Sequence, residues 1–313
     1  MRTSDYPHYQ CAFPRFNKAQ AAVVPFLDKD VNLVISLQTA VGKTALAECA
    51  FGYHLSSVDH AKVVYTSPYK SISSERHRDW SECEQFSSCG VLLGTSDSLC
   101  SPGDFDRSGI IIMTSEALDA KSRNVLHQRW LKDVSCFVFD EAHLLGRERR
   151  GACLEAAIMR VSQVAPDARM ILLSATMTNA MQLSKWIKSL NGKQTKCIKS
   201  DWRPVDIEVA YHAFDDGTAA RANEGKISGV VELALRRGFG EKVLVFVHSK
   251  RTGAVLVHRL AERGVASAFH NASLSHAQRE KIERAFNDPG SGLDVLVSTS
   301  TLSLGVNIGE DDD

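Results

Sequence analysis

Neither sign of charge is in excess: 37 Lys and Arg face 37 Asp and Glu in a chain of 313 residues. A global basic field is thereby excluded, and any nucleic-acid site must be a local stripe. Long apolar runs are also missing. None approaches the roughly 18 residues that a membrane-spanning helix needs. The opening MRTSDYPHYQ has no apolar stretch of the secretory kind. An intracellular setting, cytoplasm or nucleus, and no membrane partner are therefore expected. The eight cysteines contain no Cys-x-x-Cys pair, which argues against zinc. Cys83, Cys89 and Cys100 form the one run worth weighing for an iron–sulfur cluster, but no fourth ligand is close in sequence. Free reduced thiols are expected instead. Low-complexity tracts and short-period repeats are absent.

What is present is an α/β rhythm. NLVISL (32–37), KVVYT (62–66), GIIIM (109–113), VSCFVF (134–139) and RMILLS (169–174) read as buried parallel strands. Amphipathic stretches at 43–55, 70–87, 115–130 and 150–164 alternate with them, which predicts a sheet with helices on both faces. A polar, turn-rich stretch at 200–226 reads as a linker with one strand near 205–212. The rhythm then restarts, with helices at 226–238, 251–263 and 275–287 and strands at 242–247, 266–269 and 293–298. The expected organisation is a first domain over 1–200, a linker over 201–225 and a second domain over 226–313. About three strands are few for a doubly wound sheet, so the second domain reads as incomplete. The closing EDDD reads as a solvated tail.

Two stretches carry chemistry. QTAVGKT (38–44) follows a strand and opens a helix, the context of a phosphate-binding loop. Backbone N–H groups at that helix start would face phosphates. Lys43 would pair with the β- and γ-phosphates and Thr44 would hold Mg²⁺. The strict pattern wants glycine at position 37, where this chain has Leu37. Leucine can still end a buried strand, because only residues 40 to 44 need to approach phosphate. The second stretch is FVFDEAHLL (137–145), an Asp-Glu pair at the end of an apolar strand. Ligands of open α/β sheets collect at such strand ends. Asp140 is placed to hold Mg²⁺ and Glu141 to orient and deprotonate water.

Together these stretches resemble the Walker loop and Asp-Glu-Ala-His box of superfamily 2 helicases. That family commonly opens the loop with A-x-T, so Thr39 matches and a first glycine is not required. Further motifs follow in order. FNKAQAAVV (16–24) resembles the Q motif, which implies that Gln20 reads the adenine edge. TSPYKSISSER (66–76), GTSD (94–97) and IIIMTSEALDAKSRN (110–124) resemble the strand-tracking motifs. They imply phosphate contacts from Thr66, Ser67, Lys70, Thr95, Thr114 and Ser115. LLSATM (172–177) resembles the motif that links ATP state to domain contact, which gives Ser174 and Thr176, with His143 of the box, a coupling role. VFVHSKR (245–251), FHNASLSHAQREKIERAF (269–286) and VLVSTSTLSLGVNI (295–308) resemble the second-domain motifs. There Thr301 would face the strand, with charge added by Lys250, while Gly305 and Asn307 would lie near ATP. The ATP-binding set is thus Gln20, Thr39, Ala40, Val41, Gly42, Lys43, Thr44, Gly305 and Asn307. Trp80, Trp130 and Trp186 sit in helical stretches and read as packing residues.

DEAHLLGRERRGACLE, TSEALD and STLSLGVN resemble the Ski-like subgroup, which includes DNA-repair and RNA-exosome members. The resemblance spans residues 15 to 308. It implies two RecA-like parallel-sheet domains in tandem, the second incomplete. It also implies an ATP- and Mg²⁺-dependent motor moving 3′ to 5′ on single-stranded DNA or RNA. The family's motif VI, Q-x-x-G-R-A-G-R, is not in this sequence. A C-terminal region or a partner chain is therefore expected to supply the arginine that reaches the γ-phosphate. The alternatives are a regulatory module that binds ATP and strand with little turnover, or the motor subunit of a larger complex such as an antiviral defence assembly.

Overall fold

Six-residue runs of aliphatic and β-branched side chains have no face to give to water, so they fold only where a sheet is covered on both sides. That is where they lie in the computed structural model, which describes residues 1–58, 60–95, 98, 100–148, 150–214, 219–236 and 241–299. The chain falls into two units, Met1–Ile207 and Glu208–Asp313.

The strands of the first unit are β1 (Asn32–Leu37), β2 (Lys62–Ser67), β3 (Val91–Leu93), β4 (Ile110–Thr114), β5 (Val134–Phe139), β6 (Arg169–Ser174) and β7 (Thr195–Ser200). They form one sheet in the order β3-β4-β2-β5-β6-β1-β7, with every neighbouring pair parallel. Its helices are α1 (Lys18–Ala21), α2 (Lys43–Ser57), α3 (Lys70–Glu82), α4 (Glu84–Ser87), α5 (Pro102–Arg107), α6 (Ser115–Ser122), α7 (Val125–Lys132), α8 (Arg150–Val164) and α9 (Ala180–Asn191). Successive residues of one strand feed opposite cores. Leu33, Ile35 and Leu37 pack with Phe51 of α2 and Trp80 of α3, whereas Val34 packs with Trp130 of α7 and Ile158 of α8. This is a doubly wound α/β sheet.

The second unit, among the described residues, runs α10 (Ala219–Leu235), β8 (Val243–Phe246), α11 (Lys250–Glu262), β9 (Ser267–His270), α12 (His276–Asn287) and β10 (Val295–Ser298). Its strands form a parallel sheet in the order β8-β10-β9. Ile227, Val231, Leu256, Leu260 and Val297 build one core and Phe286 covers Leu296 on the other face. Both units are RecA-like, the second with three strands among the described residues. No helix among them is long and apolar enough to cross a membrane.

Several elements differ from the sequence reading. The expected strand near 205–212 is absent; residues 201–214 hold neither helix nor strand. Val205, Ile207, Val209 and Tyr211 do alternate as a strand would, but they are 60% to 92% exposed. A period-two pattern reports a face, and a strand also needs a partner ladder. Two strands were unexpected. β3 has three residues, and β7, TKCIKS, is a lysine-bearing edge strand paired to β1. The helical stretch 115–130 is two helices, because Asn124 caps α7 by accepting from Leu126 N at 3.0 Å. The stretch 70–87 likewise breaks at Cys83, which is extended. The helix expected from 226 already begins at Ala219.

Candidate active site

The phosphate loop connects β1 to α2. Leu37, where the strict pattern has glycine, is the fully buried last residue of β1 and lies in register with Ser200. Past it the backbone turns left-handed twice, at Ala40 (φ 59°) and Gly42 (φ 71°). Left-handed turns of this kind are how a chain swings successive N–H groups to one side and forms an anion-binding concavity. Thr39, Ala40 and Gly42 are exposed, Val41 is buried, and Thr44 is half-buried in the first turn of α2. Lys43 Nζ donates to the Gln38 carbonyl at 3.0 Å. Burial pushes the Lys43 pKa down, and the negative charges of Glu141 and Asp140 oppose that shift.

Those carboxylates stand at the end of β5. Asp140 N donates to the Thr66 carbonyl at 2.8 Å, which extends the β5–β2 ladder by one bond. Asp140 Oδ1 accepts from Glu141 N at 2.8 Å, and Oδ2 accepts from the Tyr65 hydroxyl. Burial raises the Asp140 pKa and the Glu141 charge adds to this, while the Tyr65 hydrogen bond, the Glu141 N–H and Lys43 hold it down. Glu141 is left-handed (φ 52°) and turns the chain into the short helix Ala142–Leu144. Its Oε2 lies 3.1 Å from His143 Nδ1. The imidazole beside it holds the Glu141 carboxyl below the usual range, against the opposing effect of burial. The donor set suits a magnesium–nucleotide pair: a lysine, a helix-start hydroxyl, and a carboxylate with lone pairs to spare.

Gly151 of α8 keeps this turn in place. A Cβ there would meet the Leu144 carbonyl oxygen at 2.3 Å. Alanine normally gains about 1 kcal/mol over glycine inside a helix. Here the backbone must shift, so Gly151→Ala should instead cost about 1–3 kcal/mol in a urea titration.

Gln20 has both ends of its amide occupied within the protein. Its Oε1 accepts from Asn17 N at 3.0 Å and its Nε2 donates to the Gly42 carbonyl at 3.2 Å. It is 3% exposed. Asn17 Nδ2 adds a bond to the Val41 carbonyl at 3.1 Å. This pair therefore clamps the phosphate loop, and Gln20 does so with one lone pair of Oε1 and one N–H of Nε2, half of what its amide offers.

The residues expected to track a strand divide in a similar way. Thr66 Oγ1 donates to the Val138 carbonyl, Ser67 Oγ pairs with Ser73 Oγ at 2.9 Å, and Thr114 Oγ1 caps α6 by accepting from Ala117 N at 3.2 Å. Thr95 and Ser115 are buried, and Lys70 is exposed. Of these hydroxyls, Thr66 ties β2 to β5, while Ser67 and Thr114 bond to the helices that follow their strands. In the second unit Lys250 Nζ donates to Ser273 Oγ at 2.5 Å. Thr301, Gly305 and Asn307 lie outside the described residues. Ser174 is buried and donates to the Ala175 carbonyl at 2.7 Å, whereas Thr176 is exposed. Two residues missed in the sequence are Ser36, which ties the 174–177 stretch to β1 by accepting from Met177 N at 3.0 Å, and Tyr65. A lone Ser or Tyr in an apolar strand gives no sequence signal of such a contact.

Residues 17–183 match the family model of the DEAD/DEAH box helicases, and residues 225–312 match that of the helicase conserved C-terminal domain. The chain belongs to the DEAD/DEAH box helicase family. It is 32% identical to the ATP-dependent DNA helicase Hel308 of Pyrococcus abyssi over 88% of this chain and 41% of that protein. It is 31% identical to the Hel308 of Thermoplasma acidophilum over 92% of this chain and 45% of that protein. Its fold is similar to that of the Mycobacterium smegmatis helicase Lhr, solved bound to ssDNA and AMP-PNP, with a TM-score of 0.69 at 23% identity. That likeness covers 96% of this chain and 42% of Lhr. The chain thus spans less than half the length of these relatives.

Proposed function

We propose that this chain carries the ATP-driven motor of a helicase that moves on single-stranded DNA. The observation that supports this most is the convergence of Lys43 with the Asp140–Glu141 pair beside a left-handed loop at the carboxyl ends of β1 and β5. The choice of DNA rests on the relatives, which are DNA helicases by description. In this reading Lys43 binds the β- and γ-phosphates, and the N–H groups of residues 39 to 44 cradle them. Thr44 and Asp140 hold a magnesium ion, which when bound supplies charge neutralisation on the transferred phosphoryl group. Glu141 orients the attacking water and accepts its proton. His143 holds that carboxylate ionised, and Ser174 and Thr176 report the nucleotide state. Lys70 and the backbone at the strand ends carry the phosphate contacts to DNA.

Steady-state ATP hydrolysis by the 313-residue chain, with and without single-stranded DNA, tests this beside Lys43→Ala. Strand-stimulated hydrolysis is expected, and the variant should lose it by about 10²-fold or more. A chain that neither binds ATP nor hydrolyses it, or a variant as active as the parent, would overturn the reading.

A further inference from the structure

We propose that Tyr65 is a positioning residue for Asp140, holding its carboxylate in the orientation that receives the divalent cation accompanying the nucleotide. This rests on the motor reading above and adds to it a residue that touches neither phosphate nor water in that scheme.

The carboxylate is held from two sides. The Glu141 N–H binds Oδ1 at 2.8 Å and the Tyr65 hydroxyl binds Oδ2. A carboxylate offers about four lone-pair positions. Two hydrogen bonds therefore fix its plane and still leave each oxygen a free lone pair for a metal or for a water bound to it. With Tyr65 removed, the carboxylate keeps one anchor and can rotate about χ2.

The hydroxyl is itself placed by a frame built from other elements. Tyr65 is fully buried on β2. Its ring meets the Trp80 ring edge-on at 5.0 Å and the Phe51 ring at 6.5 Å. Trp80 of α3 is fixed in turn, because its Nε1 donates to Glu48 Oε1 at 2.8 Å. The other Glu48 oxygen accepts from the Tyr9 hydroxyl at 3.1 Å. Glu48 lies on α2, five residues beyond Lys43. Burial raises the Glu48 pKa, and the bonds from Trp80 and Tyr9 oppose that shift. The aromatic frame thus ties the orientation of Asp140 to the helix that carries Lys43 and Thr44. A buried tyrosine hydroxyl usually finds a partner. This one takes a carboxylate at the mouth of the site rather than a backbone carbonyl in the core.

Partners that orient a metal-holding group typically contribute a factor of about 10 to 100 in metal affinity. The test is a magnesium titration of fluorescent ADP binding to the 313-residue chain, its Tyr65→Phe variant and an Asp140→Asn reference. Phenylalanine keeps the ring and drops only the hydroxyl. The half-saturating Mg²⁺ concentration should rise about tenfold in Tyr65→Phe. Nucleotide affinity in EDTA should stay the same, a split that a merely structural role would not produce. Trp80→Phe, which loosens the frame without touching Asp140, should move the midpoint the same way by less. An unchanged midpoint in both variants overturns the proposal, and so does an equal loss with and without Mg²⁺. If the parent chain binds ADP with no Mg²⁺ dependence and Asp140→Asn behaves like it, the motor reading falls and takes this proposal with it.

Discussion

Glu141→Gln is expected to lower strand-stimulated ATP turnover by about 10²-fold or more while leaving nucleotide binding intact. Glutamine has nearly the same shape, so the left-handed turn at 141 and the N–H bond to Asp140 survive the change. What is lost is the ability to take a proton. The His143 ring 3.1 Å away holds the carboxyl ionised, and the charge of Lys43 acts in the same direction. At neutral pH the group is therefore ionised and has a lone pair that can accept a water proton, which an amide cannot do. Asp140→Asn should behave differently, losing Mg²⁺-dependent binding as well as turnover. Single-turnover hydrolysis beside equilibrium nucleotide binding separates the two. A Glu141→Gln chain that turns over ATP as fast as the parent would mean that another group activates the water.

The central strands of both sheets were legible because burial on both faces leaves one kind of residue in them. β1, β5 and β6 lie where their aliphatic runs predict. The strands that escaped notice, β3 and β7, are edge strands; β3 has only three residues and β7 carries two lysines, so neither gives the long apolar run of a central strand. The opposite error arose at 205–212, where a clear alternation has no ladder to join among the described residues. Helix breaks were missed where one capping side chain, Asn124, or one extended residue, Cys83, interrupts an otherwise continuous polar–apolar pattern.

Within the site, residue types and spacing located Lys43 and the Asp140–Glu141 pair at strand ends, because a motif is local in sequence. How each hydroxyl and amide spends its hydrogen bonds is not local. Gln20 reaches 22 residues along the chain to Gly42, and Tyr65 reaches 75 residues to Asp140. Ser67 and Thr114 have the residue types that suit phosphate contacts, yet their hydroxyls close the turn after β2 and cap α6. Ser and Thr serve local backbone bonding as readily as ligand binding, so type alone cannot decide between the two.

The largest stability loss is expected at a residue far from the chemistry. Arg169 begins β6 and is fully buried. Its guanidinium donates to three carbonyls of the turn that leads into β1: Val31 at 2.7 Å, Leu27 at 2.5 Å and Phe26 at 2.6 Å. Burial pushes its pKa down, but a guanidinium does not give up its proton in proteins. The fixed charge is therefore held by carbonyl dipoles. Arg169→Met removes the charge and all three of these donors, leaving the Phe26 carbonyl with only its 3.3 Å bond from Lys29 N, a loss of about 3–5 kcal/mol. Arg169→Lys should recover only part of this, because an ammonium cannot span three carbonyls as a planar fork does. Urea unfolding of the parent and both variants measures the order, and a methionine variant within about 1 kcal/mol of the parent would refute it. Since β6 pairs with β1 through Leu33 and Ile171, the same arginine also fixes the approach of the strand that ends in the phosphate loop. Nucleotide binding in Arg169→Lys should then weaken together with stability, whereas in Glu141→Gln turnover falls while stability and binding hold.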